Sequence, residues 1–175
     1  GARIADPSFP SQGAKARIFT WLLEETREDK GNIVRYEYKA EDGAGVELGQ
    51  PSEATRFERQ VGSYVFTATA QKYLKRVLYG NKEPFEAADF LFELVFDYGE
   101  HDEQATPEEV RDWGVRQDPF STYRPGFEVR TYRLCRRALM FHRLNAQRDP
   151  LLVRSVKFRY EPSPVVTYLV GVTQV

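Results

Sequence analysis

Residues 33–40 (IVRYEYKA) alternate without a break: Ile33, Arg35, Glu37 and Lys39 fall to one side, Val34, Tyr36, Tyr38 and Ala40 to the other. A repeat of two is what a pleated strand presents and a helix cannot use. Just upstream, Glu28-Asp29-Lys30-Gly31-Asn32 is a turn in which Gly31 or Asn32 can take positive φ, so the pair reads as a β-hairpin. Similar signals recur along the chain. Residues 17–25 (RIFTWLLEE) are aromatic and branched but short for a helix. Residues 63–70 (SYVFTATA) and 73–79 (YLKRVLY) are strand candidates, the second closed by Gly80-Asn81. Residues 90–98 (FLFELVFDY) read as a strand buried on both faces, with a helix over 85–96 as the competing reading. The tail supplies two more strands, 151–161 (LLVRSVKFRYE) and 165–175 (VVTYLVGVTQV), joined at Pro162-Ser163-Pro164.

Two segments depart from the pattern. Residues 41–60 are glycine-rich and read as a loop with room for one helical turn. Thr106-Pro107-Glu108-Glu109 offers an N-cap, a proline at the first helical position and a capping-box glutamate, predicting a short helix that ends near Trp113-Gly114. The expected fold class is mostly β: eight or so strands in antiparallel, multi-stranded sheets, with one or two short helices. At 175 residues the chain suits one domain, with 1–16 expected as a flexible lead-in to a β domain over 17–175, the whole being a piece of a larger protein. No apolar run approaches the ~18 residues of a membrane-spanning helix, so direct membrane insertion is not expected. Residues 1–13 (GARIADPSFPSQG) are too polar and proline-rich for a signal peptide. A single cysteine closes no internal disulfide.

The most peculiar stretch is 118–144, a turn followed by arginines interleaved with aromatic and aliphatic residues. Residues 127–144 carry both strand and helix spacing; the expectation is one long strand with a bulge near Arg136-Arg137 that resets the facing. Arg130, Arg133, Arg136, Arg137 and Arg143, set among Tyr132 and Phe141, are the one feature that resembles a polyanion- or glycan-binding surface. The competing reading is internal. Glu83, Glu86, Asp89, Glu93, Asp97, Glu100, Asp102, Glu103, Glu108, Glu109 and Asp112 form an acidic block in which Arg111 is the only arginine. A basic and an acidic segment in a chain of net charge −1 favour mutual pairing, which sets strand register more than it adds stability. A net charge this close to zero also argues against a nucleic-acid partner.

Residues 96–103 (FDYGEHDE) bring together Asp97, Glu100, His101, Asp102 and Glu103, residue types that ligate calcium or zinc. The spacing fits no EF-hand and there is no second histidine nearby, so a solvated acidic loop is preferred and no metal is assigned. Cys135 and His142 could suggest a nucleophile and its base, but seven residues along a strand span ~23 Å, and Cys135 reads as a structural cysteine. There is no G-x-S-x-G elbow, phosphate loop or dinucleotide fingerprint, and no E-x-E pair with the serine–threonine run of an ADP-ribosyltransferase. No catalytic residue and no cofactor are expected.

The segments FELVFDYGEHD (92–102), DPFSTYRPGFEVRTYRLCRRALMFHRL (118–144) and VVTYLVGVTQV (165–175) closely resemble the SpvB-type region near the N-terminus of the B component of bacterial insecticidal Tc toxin complexes and of related virulence proteins. DKGNIVRYEYKAED (29–42) and YLKRVLYGN (73–81) resemble the tyrosine–aspartate (YD/Rhs) repeats of the same large proteins, a weaker signature. The resemblance implies a secreted toxin scaffold. In that family, strands of the B component and its C-component partner enclose a toxic C-terminal segment, a propeller docks on the A-component channel, and catalysis belongs to the enclosed segment. The non-catalytic role so implied requires strand partners at the sheet edges, from the same toxin or from its partner components.

Overall fold

The computed structural model describes residues 1–9, 16–47, 49–60, 63–102, 106–144 and 150–175, without the side chains of 59, 60 and 63–65. Thirteen strands run through these residues: β1 (Arg3–Ala5), β2 (Ile18–Trp21), β3 (Glu25–Arg27), β4 (Ile33–Ala40), β5 (Phe57–Gln60), β6 (Ser63–Phe66), β7 (Lys72–Asn81), β8 (Phe90–Asp97), β9 (Phe120–Thr122), β10 (Val129–Thr131), β11 (Arg137–His142), β12 (Leu151–Glu161) and β13 (Tyr168–Gln174). Seven form one antiparallel sheet in the order β13-β12-β11-β8-β7-β4-β3. Apart from two excursions the sheet is a meander. One excursion, between β4 and β7, carries the β5–β6 hairpin; the other, between β8 and β11, carries the β9–β10 pair. Arg3–Ala5, within the stretch expected as a flexible lead-in, pairs with β2.

The hairpin read from residues 28–40 forms as β3–β4. Gly31 closes its turn at φ 89°, and a Cβ there would come within 2.7 Å of the Pro84 side chain, so glycine is needed for both conformation and space. Residues 90–97 adopt the strand and not the competing helix. On β7 one extra residue, Lys75, bulges between the partners of Glu37 and Tyr38. Packing is concentrated in two clusters. Val95, Leu139 and Phe141 are fully buried across β8 and β11, with Leu152 against them. Tyr73, Tyr98 and Trp113 pack edge to face at centroid distances of 5.3–6.2 Å, beside Cys135 and Phe96. Burial of side chains this size stabilises by about 1.5–3 kcal/mol each.

Two expectations are corrected. No helix occurs among the described residues, and the one signalled at Thr106 is pre-empted by tertiary hydrogen bonds. In a helix the Thr106 carbonyl would accept from the Val110 N–H. Instead that carbonyl meets the His101 ring at 2.9 Å, Val110 donates to the Glu100 carbonyl (3.0 Å), and the Pro107 carbonyl takes Arg76 (2.9 Å). Residues 127–144 are likewise not one strand with a single bulge. β10 ends at Thr131 and belongs to a separate two-stranded sheet, β11 begins at Arg137 in the main sheet, and 132–136 between them is irregular. The cause of that break is Arg133.

Candidate functional site

Arg133 and Glu41 are both fully buried, and the arginine spends its donors on two separate loops. Nε donates to Glu41 Oε2 (3.0 Å), Nη2 to Glu41 Oε1 and, more distantly, to Asp42 (3.4 Å), and Nη1 to the carbonyls of Ala44 (2.8 Å) and Trp113 (3.0 Å). The guanidinium also lies 4.3 Å from the Trp113 ring centre. Glu41 is held in turn by the Tyr73 hydroxyl (3.0 Å) and the Gly43 N–H (2.9 Å), and the Tyr132 N–H donates to Tyr73 (2.9 Å). Reaching this node turns Arg133 inward and pulls the backbone out of strand geometry. It ties both excursions to the sheet.

The other arginines of the run follow the same rule with one exception. Arg130 pairs with buried Glu53 at 2.6 Å, and Glu53 also accepts the Tyr132 hydroxyl. Arg137 pairs with Asp97 through Nε (2.5 Å) and caps the carbonyls of His101 (3.1 Å) and Asp102 (2.7 Å). Arg143 and Arg76 hold fully buried Glu93 from two sides, each with a contact at 2.8 Å. Arg136 alone is exposed, with no ion pair or side-chain hydrogen bond among the described residues. Only Arg137 and Arg143 therefore meet the acidic block anticipated from the sequence; Arg130 and Arg133 meet carboxylates of the 41–53 loop. Glu103 lies outside the described residues.

Asp97, Glu100 and His101 offer ligand atoms within 4.8 Å of one another and are buried. A tethered cation stands among them. Lys75 Nζ pairs with Glu100 Oε1, lies 2.9 Å from His101 Nε2, donates to the Phe96 carbonyl (3.2 Å) and reaches Glu109 at 3.5 Å. The Thr106 carbonyl assigns the proton to His101 Nδ1, leaving Nε2 to accept from the ammonium. Burial, and then the Lys75 charge, hold the His101 pKa below its ordinary value. Burial draws Asp97 upward, but Arg137 and the Gly99 N–H outweigh it and the carboxyl is held below the usual range. Both His101 nitrogens are engaged, so neither is free to move a substrate proton. Lys75 could have been noticed in the sequence: with Tyr73, Val77 and Tyr79 it falls on an apolar alternation, where a lysine must find a buried partner. Nothing in the spacing marked Glu41 or Glu53.

Cys135 is inert in this setting. Burial, and then the neighbouring Asp97 charge, push its thiol up to about 12, and its Sγ lies 3.4 Å from the Arg137 carbonyl. His142 packs edge-on against Phe92, 4.9 Å between ring centres.

A family model described as the Salmonella virulence plasmid 65kDa B protein, SpvB, matches residues 1–144. The mono(ADP-ribosyl)transferase SpvB of Salmonella typhimurium (strain 14028s / SGSC 2262) is 37% identical over 184 residues, an alignment that takes in 96% of this chain and 28% of that protein. The SpvB of Salmonella dublin gives the same identity and coverage. The solved N-terminal domain of effector protein SpvB from Salmonella typhimurium strain LT2 matches with a TM-score of 0.81 at 35% identity, over 99% of this chain and 54% of that one. The TcdB2-TccC3 crystal structure matches with a TM-score of 0.79 at 36% identity, over 99% of this chain and 9% of that one. The chain thus spans about 28% of the length of the curated relatives. The match extends along the whole antiparallel sheet, in a Salmonella effector and in a toxin complex alike: this chain belongs to the SpvB family.

Proposed function

We propose that the chain is a non-catalytic structural segment of a bacterial SpvB/Tc-type toxin, contributing strands to the wall that encloses and delivers a toxic C-terminal effector outside the producing cell. The observation that supports it best is the disposition of charge and edge. Buried carboxylates hold most of the arginine run in place, while the sheet ends in an uncharged strand, β13, that pairs only with β12 among the described residues. That combination suits a rigid panel that continues into neighbouring strands and suits a substrate site poorly. Its partners are then other segments of the same toxin and Tc-type components such as those in the TcdB2-TccC3 relative.

Two measurements on the purified 175-residue chain test this. Incubation with labelled NAD and a host-cell extract is expected to give no ADP-ribosyl transfer; transfer by this chain would overturn the non-catalytic reading. Light scattering across a concentration series is expected to show association through the exposed edge. A monomer independent of concentration would count against a wall strand in need of a neighbour.

A further inference from the structure

His101 joins the sheet to residues 106–112, and a second proton on its ring has nowhere to go. Nδ1 serves the Thr106 carbonyl and Nε2 faces the Lys75 ammonium of β7, each at 2.9 Å. Protonating Nε2 would set an N–H against that ammonium, two donors and two positive charges in hydrogen-bond contact. The carboxylates around the ring are already committed. Glu100 gives one oxygen to Lys75 and the other to the Tyr98 N–H (2.6 Å). Asp97 of β8 gives Oδ1 to the N–H groups of Gly99 and His101, and Oδ2 to Arg137 of β11. Glu109, which reaches Lys75 at 3.5 Å, is paired with Lys39 of β4 at 2.5 Å. Beyond the adjoining Asp102, the other charged groups that meet His101 are Arg111 and Arg137, cations held on its carbonyl.

Residues 106–112 form a strap with neither strand nor helix, and of its side chains only Pro107 is buried. Its holds are few: the Thr106 carbonyl on His101, the Pro107 carbonyl on Arg76 (2.9 Å), the Val110 N–H on the Glu100 carbonyl (3.0 Å) and Glu109 on the two lysines. We propose that His101 is an acid-operated catch, whose protonation drives the ring from beside Lys75 and releases residues 106–112 while the strands beneath stay paired. In the closed fold, burial and the Lys75 charge keep the imidazole neutral against the attraction of Glu100 and Asp97. A released ring regains its ordinary value of 6.5, so the open form takes up the proton that the closed form refuses. Below that pH the open population therefore rises by up to tenfold per pH unit, until the closed-form value is reached. The catch does not rest on the scaffold reading, and it confines to one strap a response that need not unfold the sheet.

Hydrogen exchange of the 175-residue chain, followed by NMR from pH 7.5 to 5.5 and corrected for the intrinsic exchange rate, tests this. The Val110 amide is expected to lose roughly tenfold in protection, while the amides of β8 and β11 keep theirs. The loss should track the titration of the His101 ring, whose carbon-bound protons are readily assigned because His142 is the only other histidine. His101→Asn is expected to leave Val110 protection independent of pH over this range. Lys75→Met separates a catch from a merely buried histidine. Without the ammonium, a protonated Nε2 can donate to the Glu100 oxygen that Lys75 held, so the ring should titrate above 6.5 and the strap should stay protected at pH 5.5. Unchanged Val110 protection in the native chain, a loss that survives His101→Asn, or native-like opening of Lys75→Met overturns the catch. An equal loss across β8 and β11 shows global unfolding and overturns it too. Should Lys75→Met not fold, the native chain and His101→Asn decide the matter by themselves.

Discussion

Two neighbouring parts of the molecule handle their side chains in opposite ways. Along β10, the irregular link and β11, charges point inward and are met: Arg130 by Glu53, Arg133 by Glu41, Arg137 by Asp97 and, just past the strand, Arg143 by Glu93. Along β13 and at the start of β12 it is apolar groups that point outward, with Leu151, Tyr168, Leu169 and Val172 more than half exposed. The far edge of the sheet is different again, ending in β3, three residues long and bearing Glu25 and Arg27. A short charged edge resists further pairing, whereas a long uncharged one invites it. The charged interior therefore fixes the shape of the panel, and the uncharged edge strand β13 gives it a direction of growth.

The sharpest way to break this contrast is to compare two arginines three positions apart. Arg133→Met leaves Glu41 buried without its counter-charge and frees the 41–44 and 113–114 loops at once; the expected loss is about 3–5 kcal/mol in urea unfolding. Arg136→Ala, on the exposed side of the same link, is expected to change stability by less than about 0.5 kcal/mol. Comparable losses from the two would mean that the Arg133 node does not organise the excursions.

A smaller effect separates the two regions by pH. The His101 pKa lies below its ordinary 6.5 in the fold, so below that pH the unfolded chain takes up a proton that the folded chain refuses. This contribution is fully present above 6.5 and is lost as pH falls from there towards the folded value, at no more than ~1.4 kcal/mol per pH unit. Asp97 and Glu109, both held below their ordinary values, contribute their losses only once pH falls below about 4.5. Urea midpoints between pH 6.5 and 5 are thus expected to drop for the native chain, and His101→Asn is expected to flatten that slope. A slope unchanged by the substitution would place the proton uptake elsewhere.

Local alternation carried most of the fold. Residues 33–40 and 151–161 appear in the structure as the strands their patterns describe, because neighbouring side chains on a strand need only know which face is inside. Position 106 misled for the converse reason: capping chemistry is local, but the carbonyls it would organise had distant claimants in His101 and Arg76. The arginine run was legible as charge needing an answer, and its acidic partners were half legible. Asp97 and Glu93 lie in an obvious acidic block, while Glu41 and Glu53 meet their arginines across 92 and 77 residues of sequence, with nothing in the intervening chain to announce it. Lys75 among the carboxylates shows the limit of reading ligand types alone, since a metal-like set can be closed by an ammonium the motif does not contain.

The smallest stability effect is expected on β13. Val172 is 58% exposed and lies outside both buried clusters, so Val172→Lys should change folding stability by no more than about 0.5 kcal/mol. Its effect on association should be large by comparison. A charge set into an otherwise uncharged edge strand opposes pairing with any added strand, because the ammonium would have to be desolvated or swung clear. Light scattering of this variant should show the concentration dependence suppressed while the melting curve stays in place. If association persists undiminished, it proceeds through another surface. If it disappears together with the fold, β13 belongs to the stabilising core, and the division between a charged interior and an uncharged edge strand is drawn in the wrong place.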